Sequence, residues 1–311
     1  MYEKLARVLG ADRVFENVRL SEYTSFRIGG PADLFLTPSN ADGLIQSLQL
    51  LRREGIPWFI FGNGTNLLVR DGGFRGALIQ IGTDFSAQCF PDHYTQEAET
   101  MLMADAGQLL SALSARAAAC GLSGLEFAGG IPGSVGGGLF MNAGAYGGEL
   151  SDVVAVAVYY DIVDDNIVTV NNSQMQLSYR DSMFRQRNSV ILQVAFTLSF
   201  GDVTEINDRM TDFRKRRASS QPLSEPSAGS FFKRPQGAYA AKLIDDAGLR
   251  GISVGGAMVS EKHAGFIVNT GGATAKDVLM LMDLVRDEVR KRSGITLYPE
   301  PEIIGEDEGG I

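Results

Sequence analysis

Residues 121–150 read GLSGLEFAGGIPGSVGGGLFMNAGAYGGEL, and eleven of them are glycine. Glycine loses more chain entropy on folding than any other residue, so a folded chain concentrates it where the backbone needs positive φ or close approach. Apolar residues such as Leu125, Phe127 and Val135 lie among the glycines, whereas a flexible linker would be rich in serine and other polar residues. The stretch is therefore predicted to be packed. Its bare amides favour a site for an anion such as a dinucleotide pyrophosphate, and a run of tight turns is the alternative.

The composition indicates a folded protein of two or three domains. The chain has 311 residues, of which 44% are hydrophobic and 21% charged, and domains typically hold about 100–200 residues. A net charge of −9 and a pI of 4.9 disfavour binding to nucleic acid or to anionic membranes. No apolar run approaches the ~20 residues of a membrane span, and the N-terminal MYEKLARVLGADR lacks the apolar part of a secretion signal. We expect a cytoplasmic protein.

Cysteine and histidine are too scarce to suggest a disulfide framework or a metal centre. Cys89 and Cys120 have no short pairing motif and are predicted to be free thiols in a reducing compartment. Cys120 ends an alanine-rich helical pattern, so we expect it in the core. With only His93 and His263 in the chain, no metal site is expected. His263 is expected to be packed rather than catalytic.

Hydrophobic periodicity predicts an α+β protein. Helices are expected over residues 3–10, 41–54, 106–120, 203–217 and 238–247, and from Thr274, where Asp277 completes a capping box. Strands are expected at 32–37, 58–61, 67–69, 153–160, 167–170, 190–200, 255–259 and 265–268, with further short strands between 71 and 104. The cations at 214–217 either complement the dipole of a helix C-terminus or bind a ligand.

Six stretches, in the same order, resemble one enzyme family. They are TSFRIGG (24–30), GNGTNLLV (62–69), GIPGSVGG…MNAGAYG (130–147), SYRDSMF (178–184), AGSFFKRP (228–235) and LYPEPEIIG (297–305). The family is that of the bacterial UDP-N-acetylenolpyruvoylglucosamine reductases, within the vanillyl-alcohol-oxidase type of flavoproteins. The resemblance spans residues 22–305, and one departure is Thr65, where many members carry serine. Because threonine keeps the hydroxyl, we expect flavin binding to survive.

The resemblance implies a fold and a reaction. The implied fold is α+β, with a two-subdomain FAD-binding fold of the PCMH type and a third, substrate-binding α+β domain. The implied boundaries are 1–55 with 301–311, then 56–201, then 202–300, with the FAD-binding region covering about 27–201. The implied enzyme is an NADPH-dependent, FAD-containing oxidoreductase. It reduces UDP-N-acetylglucosamine enolpyruvate to UDP-N-acetylmuramate in the synthesis of peptidoglycan precursors.

The resemblance also implies the partners. They are the UDP-sugar and NADPH, without nucleic acid or membrane, for a protein expected to be a monomer or weak homo-oligomer. Some flavoproteins of the wider class bind their flavin covalently through histidine. The stretch from Arg27 to Gly30 has no histidine, so noncovalent FAD is predicted.

Three residues are implied to be catalytic. Hydride addition to an enolpyruvyl ether leaves negative charge on a carboxylate-stabilised carbon, which a permanently charged arginine can stabilise. The family pattern places this arginine at Arg180 and assigns proton donation to the serine at Ser230. A serine hydroxyl is a weak acid and needs a strongly basic acceptor at short range. The pattern also assigns Glu300 to stabilising the same intermediate. Glu302 is the alternative, because the repeated Pro-Glu sequence is easily aligned with the family pattern in the wrong register.

Further residues are predicted to bind the cofactor and substrate. The cofactor set is Arg27, Gly62, Asn63, Gly64, Thr65, Asn66, Leu67, Gly130, Ile131, Gly133, Ser134, Gly136, Gly137, Asn142 and Gly144. The substrate set is Tyr179, Lys233 and Lys262. For the two lysines, a solvated surface position is the alternative to binding the nucleotide diphosphate.

Two rival functions use the same sequence features. One is a different flavin oxidase or dehydrogenase on the same scaffold, against which Arg180, Ser230 and Glu300 together argue. The other is a noncatalytic nucleotide-binding protein, which the glycine-rich stretch alone does not exclude.

Overall fold

The computed structural model of the protein describes residues 1–88, 93–96 and 99–309, so Cys89 lies outside the described residues. The chain forms two compact units. Unit 1 comprises 1–15, 35–63 and 78–217, and unit 2 comprises 16–34, 64–77 and 218–311. The three-part division predicted from the sequence stays a prediction.

The elements follow one another in α+β order. The helices are α1 (Tyr2–Leu9), α2 (Ala41–Arg53), α3 (Leu110–Ala119), α4 (Val135–Phe140), α5 (Met183–Gln186), α6 (Val203–Ser220), α7 (Ala240–Asp246) and α8 (Ala275–Ser293). The strands are β1 (Val14–Arg19), β2 (Pro31–Leu36), β3 (Trp58–Phe61), β4 (Leu67–Val69), β5 (Phe74–Gln80), β6 (His93–Gln96), β7 (Glu99–Asp105), β8 (Leu122–Ser123), β9 (Gly144–Ala145), β10 (Gly148–Glu149), β11 (Val154–Asp161), β12 (Asn166–Asn171), β13 (Ser189–Phe200), β14 (Ser227–Ser230), β15 (Ser253–Val254), β16 (Ala257–Val259), β17 (Phe266–Asn269) and β18 (Glu302–Ile304).

Unit 1 is built around an antiparallel sheet of order β12-β11-β13-β7-β6, with β8 also paired to β13. The middle of β13 is rich in β-branched residues and is buried almost throughout, as expected for a strand with neighbours on both edges. Tyr159 of β11 packs edge-to-face on Phe184, with ring centroids 5.5 Å apart. The sequence therefore predicts the central strands of this sheet correctly.

The glycine-rich stretch contains a helix that the sequence analysis did not predict. Ser134 is the N-cap of α4, and its Oγ accepts a hydrogen bond from the Gly137 amide at 3.2 Å. A β-carbon at Gly136 would lie 2.9 Å from the Ala106 Cβ, and one at Gly138 would lie 2.6 Å from Leu110 Cδ1. These two glycines thus let a short helix pack unusually close to its neighbours, since glycine has no side chain to clash.

Unit 2 combines a four-stranded antiparallel sheet with α7 and α8. The sheet has the order β14-β17-β16-β15, and its core cluster includes Phe231, Ile267, Leu281 and Val285. Helix α8 begins as predicted, because Thr274 Oγ1 accepts from the Asp277 amide at 3.1 Å and Asp277 accepts from the Thr274 amide at 3.0 Å. Strand β18 pairs in parallel with β4.

One further sheet has the order β1-β2-β5-β3. Strand β1 was not predicted. The sequence analysis also placed the start of α3 too early. A turn closes from the Gln108 amide to the Asp105 carbonyl at 3.0 Å, and a β-carbon at Gly107 would lie 1.8 Å from the Gly82 oxygen. The helix therefore begins only at Leu110.

The prediction that Cys120 lies in the core is wrong. Cys120 is the C-cap of α3 and is exposed, because Ala117 and Ala118 take the buried positions at the end of that helix. Within residues 1–88, 93–96 and 99–309, no helix has the length and apolar character of a membrane span.

Candidate functional site

Two glycine-containing bends meet within unit 1. The Asn63 side-chain amide donates to the Pro132 carbonyl at 2.6 Å. A β-carbon at Gly62 would lie only 2.0 Å from Ser134 Oγ, so no larger residue fits at position 62. The bend after β3 and the bend before α4, both predicted to bind the cofactor, therefore lie side by side.

The chain enters unit 2 at Gly64, which needs glycine for two reasons. Its φ is +61°, and a β-carbon would lie 2.1 Å from the Tyr23 carbonyl oxygen. Thr65 and Asn66, which follow, are half-buried. Asn66 Nδ2 donates to the Glu300 carbonyl at 3.2 Å, and the Leu67 side chain is buried in β4. Leu67 thus contributes to the packing of unit 2, and a cofactor contact there would involve its backbone.

Several amides in the glycine-rich stretch are already engaged. Val135 donates to the Gln108 carbonyl and Gly136 to the Ala106 carbonyl, both at 2.8 Å. Ile131 donates to the Ala128 carbonyl at 3.0 Å. Contacts of these amides to a pyrophosphate would compete with bonds that hold the fold. The contacts predicted for Ile131, Gly136 and Gly137 stay predictions.

The other predicted glycines have local structural reasons as well. Gly133 accepts from the Leu110 amide at 3.0 Å, and Gly144 pairs with Glu149 in the β9–β10 hairpin. A β-carbon at Gly130 would lie 2.9 Å from Arg217 Nη1, and Arg217 donates to the Gly130 carbonyl.

Asn142 is fully buried, with both ends of its side chain bonded inside unit 1. Its Nδ2 donates to the Ser178 carbonyl at 3.1 Å, and its Oδ1 accepts from the Ser151 amide at 2.9 Å. Its φ is +44°, a region that asparagine tolerates better than most residues. The predicted polar contact of Asn142 to the cofactor stays a prediction, and the structure gives this side chain another task.

Tyr179 and Arg180 occupy the tip of a tight turn. Ser178 and Asp181 exchange two backbone hydrogen bonds, each 3.1 Å long, and leave Tyr179 and Arg180 as the central pair. Arg180 has a φ of +56°, which is rare for a residue with a side chain. Its guanidinium carbon lies 5.1 Å from the centroid of the Tyr179 ring.

Ser230 and Glu300 are neighbours in unit 2. Ser230 ends β14, pairs with Phe266 of β17 and is exposed. The Glu300 amide donates to the carbonyl of Phe231, the residue after Ser230, at 2.9 Å. Glu300 is buried, whereas Glu302 is half-buried within β18 opposite Leu67.

The predicted basic residues of unit 2 lie in different surroundings. Half-buried Lys233 donates its amide to the Tyr298 carbonyl at 2.9 Å. The Lys262 ammonium donates to the Ala218 carbonyl in the last turn of α6 at 2.6 Å, which is neither of the two roles considered for it. Exposed Arg27, with a φ of +56°, lines a cavity of about 450 Å³ together with Arg19 and Asp71.

Charged residues outside the predicted set also contact the glycine-rich stretch in unit 1. Buried Glu126 accepts from Arg209 of α6 at 2.7 Å. Burial tends to raise the pKa of Glu126, but the hydrogen bonds from Arg209 and from backbone amides outweigh it and hold the pKa below its usual 4.5. Burial lowers the pKa of Arg217. Glu126 and Arg209 lie far apart in sequence, so no local sequence pattern indicates that they form a pair.

His263 has a packing role, as predicted. Its Nδ1 accepts from the Gly265 amide at 3.1 Å, and its ring packs edge-to-face on Phe266, with centroids 5.0 Å apart. Burial lowers the pKa of His263 below its usual 6.5, which favours the neutral ring. Among the described residues, no cluster of histidine, cysteine or carboxylate side chains could hold a metal ion.

The residues of the two bends fit a flavin nucleotide. A dinucleotide needs a surface where backbone amides come close to phosphate oxygens, and glycine permits the closest approach. The adjoining bends contain Gly62 and Gly133, whose amides no side chain of their own covers.

Comparisons with known proteins point to one family. Residues 221–304 match the domain family described as UDP-N-acetylenolpyruvoylglucosamine reductase, C-terminal domain, and residues 32–170 match the FAD binding domain. A UDP-N-acetylenolpyruvoylglucosamine reductase of Caldanaerobacter subterraneus is 44% identical over 306 residues, covering 98% of each chain. A reductase of the same name from Clostridium botulinum is 44% identical over 292 residues, covering 94% of this chain and 93% of its own.

A solved structure is also similar over nearly the full length. The crystal structure of UDP-N-acetylenolpyruvylglucosamine reductase from Thermus caldophilus superposes with a TM-score of 0.79 at 35% sequence identity. The match covers 94% of this chain and 98% of that one. The comparisons confirm the predicted α+β flavoprotein fold.

Proposed function

Because the chain belongs to the UDP-N-acetylenolpyruvoylglucosamine reductase family, whose members are FAD-containing oxidoreductases, we propose that it reduces UDP-N-acetylglucosamine enolpyruvate to UDP-N-acetylmuramate. The observation that carries this proposal is identity of 44% over 98% of both chains with a reductase of that name. FAD, when bound, carries the hydride from NADPH to the enolpyruvyl double bond. The product supplies the synthesis of peptidoglycan precursors.

We assign Arg180 to charge stabilisation. Hydride addition at one carbon of the enolpyruvyl group leaves an electron pair shared between the other carbon and its carboxylate. A guanidinium remains charged at any physiological pH and can bind a carboxylate through two parallel hydrogen bonds. Arg180 lies at the tip of a turn and is half-buried, and this position supports the assignment.

We assign Ser230 to proton delivery. The carbanionic carbon needs one proton to complete the lactyl ether. A serine hydroxyl is a weak acid and can supply this proton because the carbanion is strongly basic. Ser230 is exposed at the end of β14, where a substrate could reach its hydroxyl. The alkoxide left behind regains a proton from solvent.

We assign Glu300 to the same intermediate. Its burial, its amide bond to Phe231 and the bond from Asn66 to its carbonyl fix its backbone beside Ser230. Glu302 is instead held in the β18–β4 pairing. These contacts support the choice of Glu300 over Glu302. The cytoplasmic location and the monomeric or weakly associated state remain predictions from the sequence.

An anaerobic flavin titration tests the proposed function. The purified protein should be yellow, NADPH should bleach the flavin absorbance, and the enolpyruvyl UDP-sugar should then restore it with formation of UDP-N-acetylmuramate. A colourless protein that does not take up FAD would contradict the proposal. Bleached flavin that the UDP-sugar does not reoxidise would contradict it as well, and rapid peroxide release with an alcohol donor would favour the rival oxidase.

A further inference from the structure

We propose that Asn142 and Ser182 are positioning residues that hold the Arg180 turn in its reactive geometry. The inference rests on the proposed function, because it concerns how the fold presents the arginine that the function requires. It arises from hydrogen bonds of two buried side chains in unit 1 that join the end of α4 to both sides of that turn.

The Arg180 turn is intrinsically costly. Arg180 occupies the left-handed region with a φ of +56°, which disfavours a residue with a side chain. Such a conformation persists only where the surroundings impose it. The side-chain hydrogen bonds at the base of the turn supply one such constraint.

Asn142 holds one side of the base. Its Nδ2 donates to the carbonyl of Ser178, the residue just before the central pair, at 3.1 Å. Its Oδ1 is itself fixed by the Ser151 amide at 2.9 Å. With no exposed surface, Asn142 has one available orientation, and the Ser178 carbonyl is held against it.

Ser182 holds the other side. It follows Asp181, which closes the turn, and its Oγ donates to the Phe140 carbonyl at 2.6 Å. Ser182 is almost completely buried. Phe140 is the last residue of α4 and Asn142 lies two residues beyond it, so both sides of the turn are tied to the same helix end.

Two hydrogen bonds from buried side chains hold the base of the turn. Each adds to the ordering of the segment and so offsets part of the cost of the left-handed arginine. A shift of about 1 Å in a positioned group can cost roughly 100-fold in rate. Loosening the base of the turn is therefore expected to displace the guanidinium and to slow the reaction.

Three single variants of the FAD-loaded enzyme test the proposal. Asn142→Gly removes both side-chain bonds and keeps a backbone that accepts the φ of +44°. Ser182→Ala removes the bond to Phe140. Asn172→Ala is the matched control, because the Asn172 amide also donates to two backbone carbonyls of unit 1, Ser151 at 2.9 Å and Val154 at 2.7 Å, but not to the turn.

Two measurements are made on each variant. Hydrogen–deuterium exchange of peptides covering 176–184 should speed up in Asn142→Gly and Ser182→Ala but stay as in the parent protein for Asn172→Ala. Reoxidation of reduced flavin by the enolpyruvyl UDP-sugar should slow by about 10- to 100-fold in the first two variants. In Ser182→Ala, flavin content and reduction by NADPH should stay within about twofold of the parent protein.

A double variant separates positioning from general weakening. In an Arg180→Ala background, adding Asn142→Gly should slow reoxidation little further, because residues that act through one group are not additive. Unchanged exchange in the turn would overturn the proposal, as would faster exchange with normal reoxidation. Loss of FAD from Asn142→Gly would overturn it in favour of the cofactor contact predicted from the sequence.

Failure of the proposed function would look different. The parent protein itself would then not be reoxidised by the UDP-sugar, or Arg180→Ala would reoxidise at the normal rate. Either result removes the catalytic role of Arg180 and with it the positioning role, whatever the exchange measurements show. Failure of the positioning inference alone leaves parent turnover and the Arg180→Ala defect intact.

Discussion

Ser230 carries its hydroxyl at the exposed end of β14, whereas Glu300, beside it in the fold, is buried. If the hydroxyl delivers the proton, Ser230→Ala should leave flavin reduction by NADPH within about twofold and slow reoxidation by the UDP-sugar at least 100-fold. Stopped-flow absorbance measures the two half-reactions separately. Ser227→Ala is the control on the same strand, since the Ser227 hydroxyl accepts locally from the Gly229 amide.

Glu300→Gln should also slow reoxidation of the flavin by the UDP-sugar, and Glu302→Gln should not. Equal losses in both half-reactions of Ser230→Ala would show that the hydroxyl is not the proton donor. A larger effect at Glu302 would reverse the choice of register.

Arg180 combines the proposed catalytic role with an unfavourable backbone conformation. Its φ of +56° suits glycine better than arginine. Arg180→Gly should therefore keep or raise the free energy of unfolding, by up to about 1 kcal/mol, while abolishing most reoxidation of the flavin by the UDP-sugar. Urea unfolding and stopped-flow traces check the two effects. A variant that loses stability and activity in parallel would indicate that Arg180 is needed for the fold.

For single residues, the motifs identified the candidate site residues but not the contacts that each side chain makes. Asn142 was predicted to contact the cofactor because it is polar and lies among glycines. Its bonds to Ser178 and Ser151 depend on pairings across the fold, which no local pattern reveals. The prediction that Cys120 is buried was wrong for a related reason. A helical pattern identifies the buried face of a helix but not whether a residue at its end lies on that face.

Helix α4 shows two kinds of glycine within one element. Gly136 is buried, and a β-carbon there would lie 2.9 Å from the Ala106 Cβ. Gly137 is exposed, and its nearest neighbour would be Ser134 Oγ at 3.2 Å. Gly136→Ala should therefore destabilise the cofactor-free protein by about 1–3 kcal/mol, whereas Gly137→Ala should leave it unchanged or slightly more stable.

FAD affinity completes the comparison of these two glycines. If Gly137 is present so that the cofactor can approach, Gly137→Ala should weaken FAD binding by about tenfold or more without loss of stability. Thermal unfolding of cofactor-free protein and fluorescence titration with FAD measure the two quantities. Normal FAD affinity in Gly137→Ala would remove this residue from the predicted cofactor set.

Helix α6 is joined to the glycine-rich stretch through Glu126 and Arg209. Because the folded pKa of Glu126 lies below 4.5, the pair stabilises the fold above the ordinary glutamate pKa and is lost as pH falls through the lowered value. Glu126→Gln should lower the free energy of unfolding near neutral pH by about 1–2 kcal/mol. The expected loss is no larger because Arg209 is 43% exposed, and solvent weakens its interaction with Glu126. The difference from the parent protein should shrink in acid.

Urea unfolding across the acid range checks this dependence. Glu205→Gln is the control, because Glu205 lies 3.7 Å from the same Arg209 but is 74% exposed, and little change is expected there. A difference between Glu126→Gln and the parent protein that stays constant into acid would show that the charge of Glu126 is not what stabilises α6.

For the whole molecule, the cofactor is expected to act as a stabilising ligand. A ligand that binds only the folded state adds about 2.7 kcal/mol at one hundred times its dissociation constant. The unfolding temperature should therefore rise with FAD concentration in protein stripped of flavin. Riboflavin, which lacks the pyrophosphate, should give a smaller rise if the adjoining bends bind that group. Equal effects of the two compounds would contradict the assignment of the bends.

The elements were more predictable than the organisation of the chain. Helices such as α2 and α8 follow from local periodicity and capping, which a linear pattern contains. The two units instead each gather distant segments, as where residues 302–304 of β18 pair with residues 67–69 of β4. The motifs identified the family because they mark these distant segments in order, but their spatial partners become visible only in the folded chain.

The β4–β18 pairing bears on how the protein is made. During synthesis, β4 is made more than 200 residues before the strand that completes its parallel pairing. The antiparallel sheet of unit 1, whose strands lie between residues 93 and 200, can assemble while the remainder is still being synthesised. Unit 2 must wait for its last segment, and its early apolar strand needs shielding in the meantime. Truncated nascent chains should accordingly bind chaperones through residues 64–77.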